Sequence, residues 1–506
     1  MIDHFALSQA FGLLFASFEP WLWVVPGLLI GLIFGSIPGL QISMAMAVFL
    51  PVTFGMDFLQ AMLFLTAIFT GGAYGGGVTA ILMNIPGSSS SIATAFDGYP
   101  MAQKGMAGKA LTIAAISSFA GGSLATVLLM IFAPALSSVA LLFHSAEYFA
   151  LMVVGLSAIA AFAGSGQVGK ALMMTILGLI LGTVGEGALS STPRFTFGIL
   201  DLQSGFSFIT LAMAMFALPE ALFLVMNPAR SAEQGSGKIT GLRISRQEAR
   251  TIAPVIGRQS VQGFFIGVLP GAGATIASFL GYAVERNLAT KEEQAEFGKG
   301  SIKGLAAPET ANNAACTGSF VPLLTLGIPG SGTTAILLGA LIALNVTPGP
   351  RLMTDEPDVF WAVIISMYVG NLVLLILNLP LIPYIAKILT IPRTFLIPFI
   401  LFFTLMGSYL GQNNSTELLI LVGFGVVATI LRFADFPLAP LLIGFILGTM
   451  LENNFARAMQ LYRGFDFILE RPMTLGLLVL AVILVVLPSY RGYRARKRAE
   501  GVADGD

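Results

Sequence analysis

Residues 71 to 100, GGAYGGGVTAILMNIPGSSSSIATAFDGYP, set glycine-rich and polar sequence between long apolar runs. Those runs demand a bilayer: 56% of the 506 residues are hydrophobic and 10% charged, the range of polytopic membrane chains. In hydrocarbon every backbone N–H and C=O must find a partner, so irregular backbone at membrane depth persists only where protein covers it or a cavity wets it. The stretch therefore cannot be an ordinary lipid-facing helix. The fold class expected is an all-α polytopic membrane protein with broken helices or re-entrant hairpins at Pro-Gly motifs.

Within that stretch, Pro86 removes a backbone donor, Gly87 permits a sharp turn, and the hydroxyls of Ser88 to Ser91 stand at the start of the next helix. Helix N-termini carry free N–H groups and the positive end of the dipole, so the break reads as an anion receptor without a basic side chain. The second half of the chain repeats the pattern. Pro38-Gly39 returns as Pro270-Gly271, 232 residues on, and Asn84-Ile-Pro-Gly-Ser88 returns in part as Ile328-Pro-Gly-Ser331, 243 residues on. Ser117, Gly121 and Pro134 return as Ser366, Gly370 and Pro383, 249 residues on. Repeats with interrupted segments at matching positions point to a secondary-transporter site at the repeat interface.

The organisation expected is an interfacial helix over residues 1–20, with Phe5, Phe11, Phe15 and Phe18 toward lipid, and a first membrane repeat over 21–226. A basic linker (227–258), a second repeat with the last span (259–489) and a basic tail (490–506) follow. The linker and tail concentrate Arg and Lys, which places both in the cytoplasm. Inverted repeats need an odd number of spans each and would put linker and tail on opposite faces, so the expectation is inverted repeats plus one unpaired span, with parallel repeats as the alternative. The segments expected as separate helices include residues 110–133 and 134–143.

Several motifs carry competing readings. Gly164-Ser-Gly-Gln-Val-Gly-Lys170-Ala171 looks like a phosphate-binding loop, but Ala171 stands where magnesium needs Ser or Thr and no strand precedes it, so it is expected to be a polar loop. His4 and His144 lie far apart and Cys316 is alone, which leaves no Cys/His cluster for zinc or haem, and no cofactor is expected. Pro86, Gly87, Ser88 and Ser89 with Pro329, Gly330, Ser331, Thr333 and Thr334 are the expected substrate contacts. Pro38, Gly39, Pro270 and Gly271 are expected hairpin breaks. Asn84, Asp97, Asn312, Asn313 and Thr317 are cation ligands or structural: Asp97 as the turn of an Asp-Gly corner, the amides as helix caps or sodium-type oxygen ligands. Glu147, Glu186 and Glu452 read as residues near span ends.

Over residues 20 to 450 the chain resembles the TctA family, the large membrane subunit of the tripartite tricarboxylate transporters. The resemblance rests on Pro38 and Pro270, on Asn84-Ile-Pro-Gly87 through Asp97-Gly-Tyr-Pro-Met101, and on Pro308-Glu309 through Asn312-Asn313. Leu324-Thr-Leu-Gly-Ile-Pro-Gly-Ser331, Thr333-Thr334 and Pro348-Gly-Pro350 complete it. The run Ser88 to Ser91 departs from the family's Thr-Pro-containing version, so no particular acid is implied. The resemblance implies a multi-pass protein of the bacterial inner membrane, a symporter driven by sodium or protons and not an enzyme. Its implied partners are a small TctB-like membrane subunit and a TctC-like periplasmic solute-binding protein that delivers the organic acid. Uptake of a di- or tricarboxylate held between the two Pro-Gly hairpins is the expectation. A passive anion channel is the alternative, and an intramembrane enzyme, which would need an activated nucleophile or a metal, is a further one.

Overall fold

Helix-favouring apolar sequence, punctuated by Pro and Gly, gives a bundle of helices in the computed structural model, which describes residues 4–37, 40–162, 167–187, 190–226, 241–346, 348–388, 393–412, 414–462 and 464–486. Pro38 and Gly39, residues 227–240 of the linker, the tail and Gly164 to Gly166 of the phosphate-loop lookalike lie outside the described residues. Among the described residues, six helical stretches are long and apolar enough to cross a membrane by length and composition. The single sheet among them is a two-stranded antiparallel hairpin, Gly185–Gly187 with Ser190–Arg194. The chain is thus an all-α polytopic membrane protein.

The centre of the bundle is helix Phe58–Met83, buried along almost its whole length. The run GGAYGGG lies inside this helix and does not break it. Its glycines act as spacers: a Cβ added at Gly71 would lie 2.3 Å from the carbonyl oxygen of Leu28, and one at Gly75 would lie 2.4 Å from that of Leu32. Helix Trp21–Ser36 can therefore lie backbone to backbone on it, the contact that small residues permit in membranes. The second half builds the same pair. Gly31 and Gly35 press on Ile68 and Gly72, and Gly263 and Gly267 of helix Arg246–Val268 press on Ala311 and Ala315 of helix Ile302–Gly318.

The halves also exchange partners. Helix Ala107–Ala140 of the first half packs along Ile302–Gly318, and Pro357–Ile388 of the second packs on Phe58–Met83. Ala107–Ala140 is one helix of 34 residues where two segments were expected. Pro134 does not end it, since a membrane helix tolerates a proline where its neighbours re-satisfy the freed groups; one turn on, the Ser138 hydroxyl donates to the Pro134 carbonyl at 2.9 Å.

At the N-terminus, helix His4–Phe15 buries Ala6, Ala10 and Leu14 and exposes Phe5, Phe11 and Phe15, with Phe18 exposed beyond its end. Three acids near span ends prove unequal. Glu147 is buried and accepts from Arg471 Nε at 2.7 Å, and Glu452 accepts a bidentate pair from Arg194 at 2.7 and 3.1 Å. These two cross-link distant segments, whereas Glu186 sits in the small strand.

Candidate substrate cavity between four helix starts

Helix Phe58–Met83 stops at a residue in the left-handed region, Asn84 (φ 55°), and 243 residues on Gly327 (φ 68°) ends the short helix Phe320–Leu326 that follows Ile302–Gly318. Two residues later a proline forbids resumption of the helix, and a serine in extended conformation opens the next one. Ser88 (φ −141°, ψ 161°) precedes the short 3-10 turn Ser89–Ser91 and helix Ile92–Met101; Ser331 (φ −158°, ψ 171°) precedes helix Gly332–Ala343. The tip of the first turn is pressed against its neighbour, since a Cβ on Gly87 would lie 2.0 Å from the Gly35 carbonyl oxygen.

These two serines face one cavity of about 670 Å³. Its wall is made by the residues that follow all four Pro-Gly breaks: Gln41 to Ser43, Ser88 to Ser90, Gly271 to Ile276 and Gly330 to Thr333. Four helices start there, Ile42–Phe49, Ile92–Met101 through its 3-10 lead-in, Gly273–Leu288 and Gly332–Ala343. The first amides of a helix have no intrahelical acceptor, so four sets of N–H groups and four positive dipole ends gather around one space. Among the described residues, no charged side chain lines it. The Ser89 and Thr275 hydroxyls, 2.8 Å apart, join the halves across it.

Among the expected contacts, Ser88, Ser89, Gly330, Ser331 and Thr333 line the cavity, as does the expected break residue Gly271. Pro86, Gly87, Pro329 and Pro270 shape the turns from behind the wall. Thr334 is fully buried and serves as a cap: its Oγ1 accepts from the Ser331 amide at 2.8 Å and donates to the Ser331 carbonyl. Ser90, from the expected run Ser88 to Ser91, joins the wall, and Gln41, Ser43, Thr275 and Ser319 belong to it without having been foreseen. The signal for three of them was present, because Gln41, Ser43 and Thr275 follow Pro38-Gly39 and Pro270-Gly271 as Ser88 follows Pro86-Gly87.

The remaining candidates fall elsewhere. Asn84 is exposed and closes the helix end. Asp97 is buried away from the cavity, and its Oδ1 accepts from the amides of Gly300 and Ser301 at 2.8 and 2.7 Å, anchoring the first hairpin to the start of helix Ile302–Gly318. Asn312 is buried with its Nδ2 unpartnered, while Asn313 and Thr317 reach a second, much smaller chamber. Lys170 of the phosphate-loop lookalike donates to the carbonyls of Ala434 and Asp435 at 2.7 and 3.3 Å, capping the end of helix Thr416–Phe433.

Glu309 is the residue that sequence reasoning passed over. It is 1% exposed, accepts from Thr94 Oγ1 at 2.6 Å and Ser118 Oγ at 2.9 Å, and has no basic partner among the described residues. Gly77 leaves room for it, since a Cβ there would lie 2.6 Å from Oε1. A lone acid inside the otherwise uncharged run Leu305 to Ala315 is the signal, because intramembrane carboxyls are costly and tend to be functional.

Comparison with known proteins agrees with this architecture. The family model described as "Tripartite tricarboxylate transporter TctA family" matches residues 21–443. A protein of Agrobacterium vitis described as an uncharacterized 52.8 kDa protein in the TAR-I ttuC' 3' region is 42% identical over 476 residues, 93% of this chain and 94% of its own length. A second A. vitis protein, from the TAR-II ttuC' 3' region, is 46% identical over 236 residues, 46% of this chain and 97% of its own length. No solved structure matches the chain.

Proposed function

Because the chain belongs to the TctA family of tripartite tricarboxylate transporters, we propose that it is the large subunit through which a di- or tricarboxylate crosses the bacterial inner membrane, delivered by a periplasmic binding protein and driven by a cation gradient. The observation that carries this reading is the convergence of four helix starts on one cavity with no charged side chain. Several carboxylate groups can be held there by backbone amides, by the dipole ends and by the hydroxyls of Ser88, Ser89 and Thr333. A receptor without lysine or arginine binds the anion without trapping it in a fixed ion pair, which suits a carrier that must also release it. Because each half supplies two of the four helix starts, rocking one half against the other would open the cavity to alternate faces of the membrane. A small TctB-like membrane subunit completes the proposed complex.

Two coupling ions remain in play as proposals. Sodium is favoured by neutral amides and hydroxyls near the cavity, and proton coupling by the buried Glu309 carboxyl, which Thr94 ties to the first hairpin. The test is uptake of a panel of di- and tricarboxylates into liposomes that carry this subunit and its small partner, with the binding protein added outside. Accumulation against a gradient under an imposed sodium or proton gradient, and its absence without the binding protein, is the expected result. Equilibration that needs neither would make the chain a passive anion channel.

A further inference from the structure

Beside the substrate cavity, and sharing Phe69 and Cys316 with its wall, lies a chamber of only about 10 Å³. That is room for a single water-sized particle. Its polar lining is Thr70, Asn313, Thr317 and Asn371, and the stacked rings of Phe69 and Phe320, 5.6 Å between centroids, border it. Thr70 and Asn313 are 243 residues apart, the spacing of the two Pro-Gly-Ser turns, so the chamber lies where the matching central helices of the halves meet.

The hydrogen bonds decide what such a chamber can hold. Thr70 Oγ1 spends its proton on the Thr66 carbonyl at 2.8 Å, and Thr317 Oγ1 on the Asn313 carbonyl at 3.2 Å. Asn313 Nδ2 donates to the Glu309 carbonyl at 3.1 Å, which leaves Oδ1 as its free atom. Three oxygens are thereby left as acceptors only. Asn371, 1% exposed, has neither side-chain atom partnered, and Gly122 leaves space for that amide, since a Cβ there would lie 2.8 Å from Oδ1. A buried amide left unpaired is costly unless a bound ion or water satisfies it. A water there would give its two protons to two of the four side-chain oxygens, Asn371 Oδ1 included, and leave the other two without a partner. A small cation needs oxygens alone. With no carboxylate in the wall, a divalent ion would lack the charged ligands it ordinarily takes.

Resting on the transport reading above, we infer that this chamber is a sodium site, with Thr70, Asn313, Thr317 and Asn371 as its side-chain ligands. Sodium held there would join helix Phe58–Met83 to Ile302–Gly318 and Pro357–Ile388 and place a positive charge behind the wall of the anion cavity. Cation and carboxylate would then favour each other's binding, which is what coupling requires.

The experiment is thermal melting of the purified subunit with its small partner, titrated with sodium chloride against potassium or choline chloride. Sodium alone is expected to raise the midpoint. Thr70→Val and Thr317→Val keep the shape and delete one oxygen each, and Asn371→Ala deletes the orphan amide; each should raise the half-saturating sodium concentration about tenfold or more. Thr112→Val, which loses the same kind of bond to the carbonyl four residues back without facing the chamber, should leave it unchanged. Absence of a sodium effect in the unaltered protein, an equal effect of potassium, or unchanged half-saturation in the three variants would overturn the site, the first being the behaviour of a chamber that holds water only. Proton-driven carboxylate uptake indifferent to sodium would overturn it and leave the transport reading intact. Sodium stabilisation lost in the three variants, in a protein that takes up no carboxylate, would support the site while removing the substrate class.

Discussion

In the second Pro-Gly hairpin, Ser331 and Thr334 close a reciprocal capping box and Ile328 to Gly330 are buried. In the first, the Ser88 side chain accepts no capping bond from the following backbone, and its hydroxyl lies 2.9 Å from those of Ser90 and Ser91. Asn84, Ile85 and Ser89 at the first turn are exposed. Gly332 of the second helix start abuts Ala439 and Phe216, so that start is wedged among other helices. The same backbone path is thus locked in one half by its own cap and by packing. In the other it is held by a glycine contact at Gly87 and by the hydroxyl pair Ser89 and Thr275 across the cavity. Two copies of one motif can divide the labour of a carrier, a fixed wall and a wall that gives, through three or four substitutions around the turn.

The largest expected difference concerns the two matching glycines. A Cβ at Gly87 meets a backbone oxygen at 2.0 Å, whereas at Gly330 the nearest atom is Ser319 Cβ at 3.5 Å. Gly87→Ala should therefore destabilise by about 1 to 3 kcal/mol or abolish folded protein in the membrane, and Gly330→Ala should melt within about 0.5 kcal/mol of the unaltered chain. Equal melting temperatures for the two variants would show that the turns are packed alike.

Next come the hydroxyls at the two helix starts. Each charge-assisted hydrogen bond contributes about 1.5 to 3 kcal/mol, roughly ten- to hundredfold in affinity. The double variant Ser88→Ala with Thr333→Ala should lose uptake while inserting normally, and normal substrate affinity in it would take both hairpins out of the site.

Neighbouring threonines sharpen the contrast further. Thr333 lines the cavity and Thr334 caps the helix. Thr334→Val should lower stability by about 1 kcal/mol and leave the half-saturating substrate concentration alone, and Thr333→Val should do the reverse. Kinetics and melting of the same two preparations decide it.

The smallest effect lies at the start of helix Arg246–Val268, where Lys109, after the first hairpin, pairs with Glu248 at 2.8 Å. Lys109 and the Ser245 amide hold the Glu248 carboxyl down, to about 2 from 4.5. Its folded value is depressed, so the stabilisation is present above pH 4.5 and is lost as the pH falls toward 2. The pair is partly exposed, so Glu248→Gln should cost well under 1 kcal/mol at neutral pH. A loss of several kcal/mol in a melting experiment would mean that this tether, and not the packing, fixes the first half.

The parts of this architecture that were legible in the sequence are those written in local chemistry. A proline joined to a glycine removes a donor and frees the backbone at one point, so Pro86-Gly87 and Pro329-Gly330 announced both turns, and the hydroxyls of Ser88, Ser331 and Thr333 followed at fixed offsets. What hid was set by tertiary contact. GGAYGGG reads as a breaker until helix Trp21–Ser36 lies on it, and Thr275 reads as one more small residue until its chain segment meets Ser89. Glu309 and Asn371 acquire meaning only through burial against helices from the other half. The family was legible for the same local reason as the turns, since its long motifs are the turns.

The exchange of partners between halves has a consequence for how the protein is made. Helix Phe58–Met83, with Thr66, Tyr74 and Thr79 on it, receives the cover of Pro357–Ile388 only after some 274 further residues have been synthesised, from Met83 to Pro357. At about 5 to 20 residues per second that is a wait of roughly a quarter of a minute to a minute. The newborn first half spends that time in the bilayer with the face that Pro357–Ile388 will cover open to lipid, to insertion factors and to other unfinished chains.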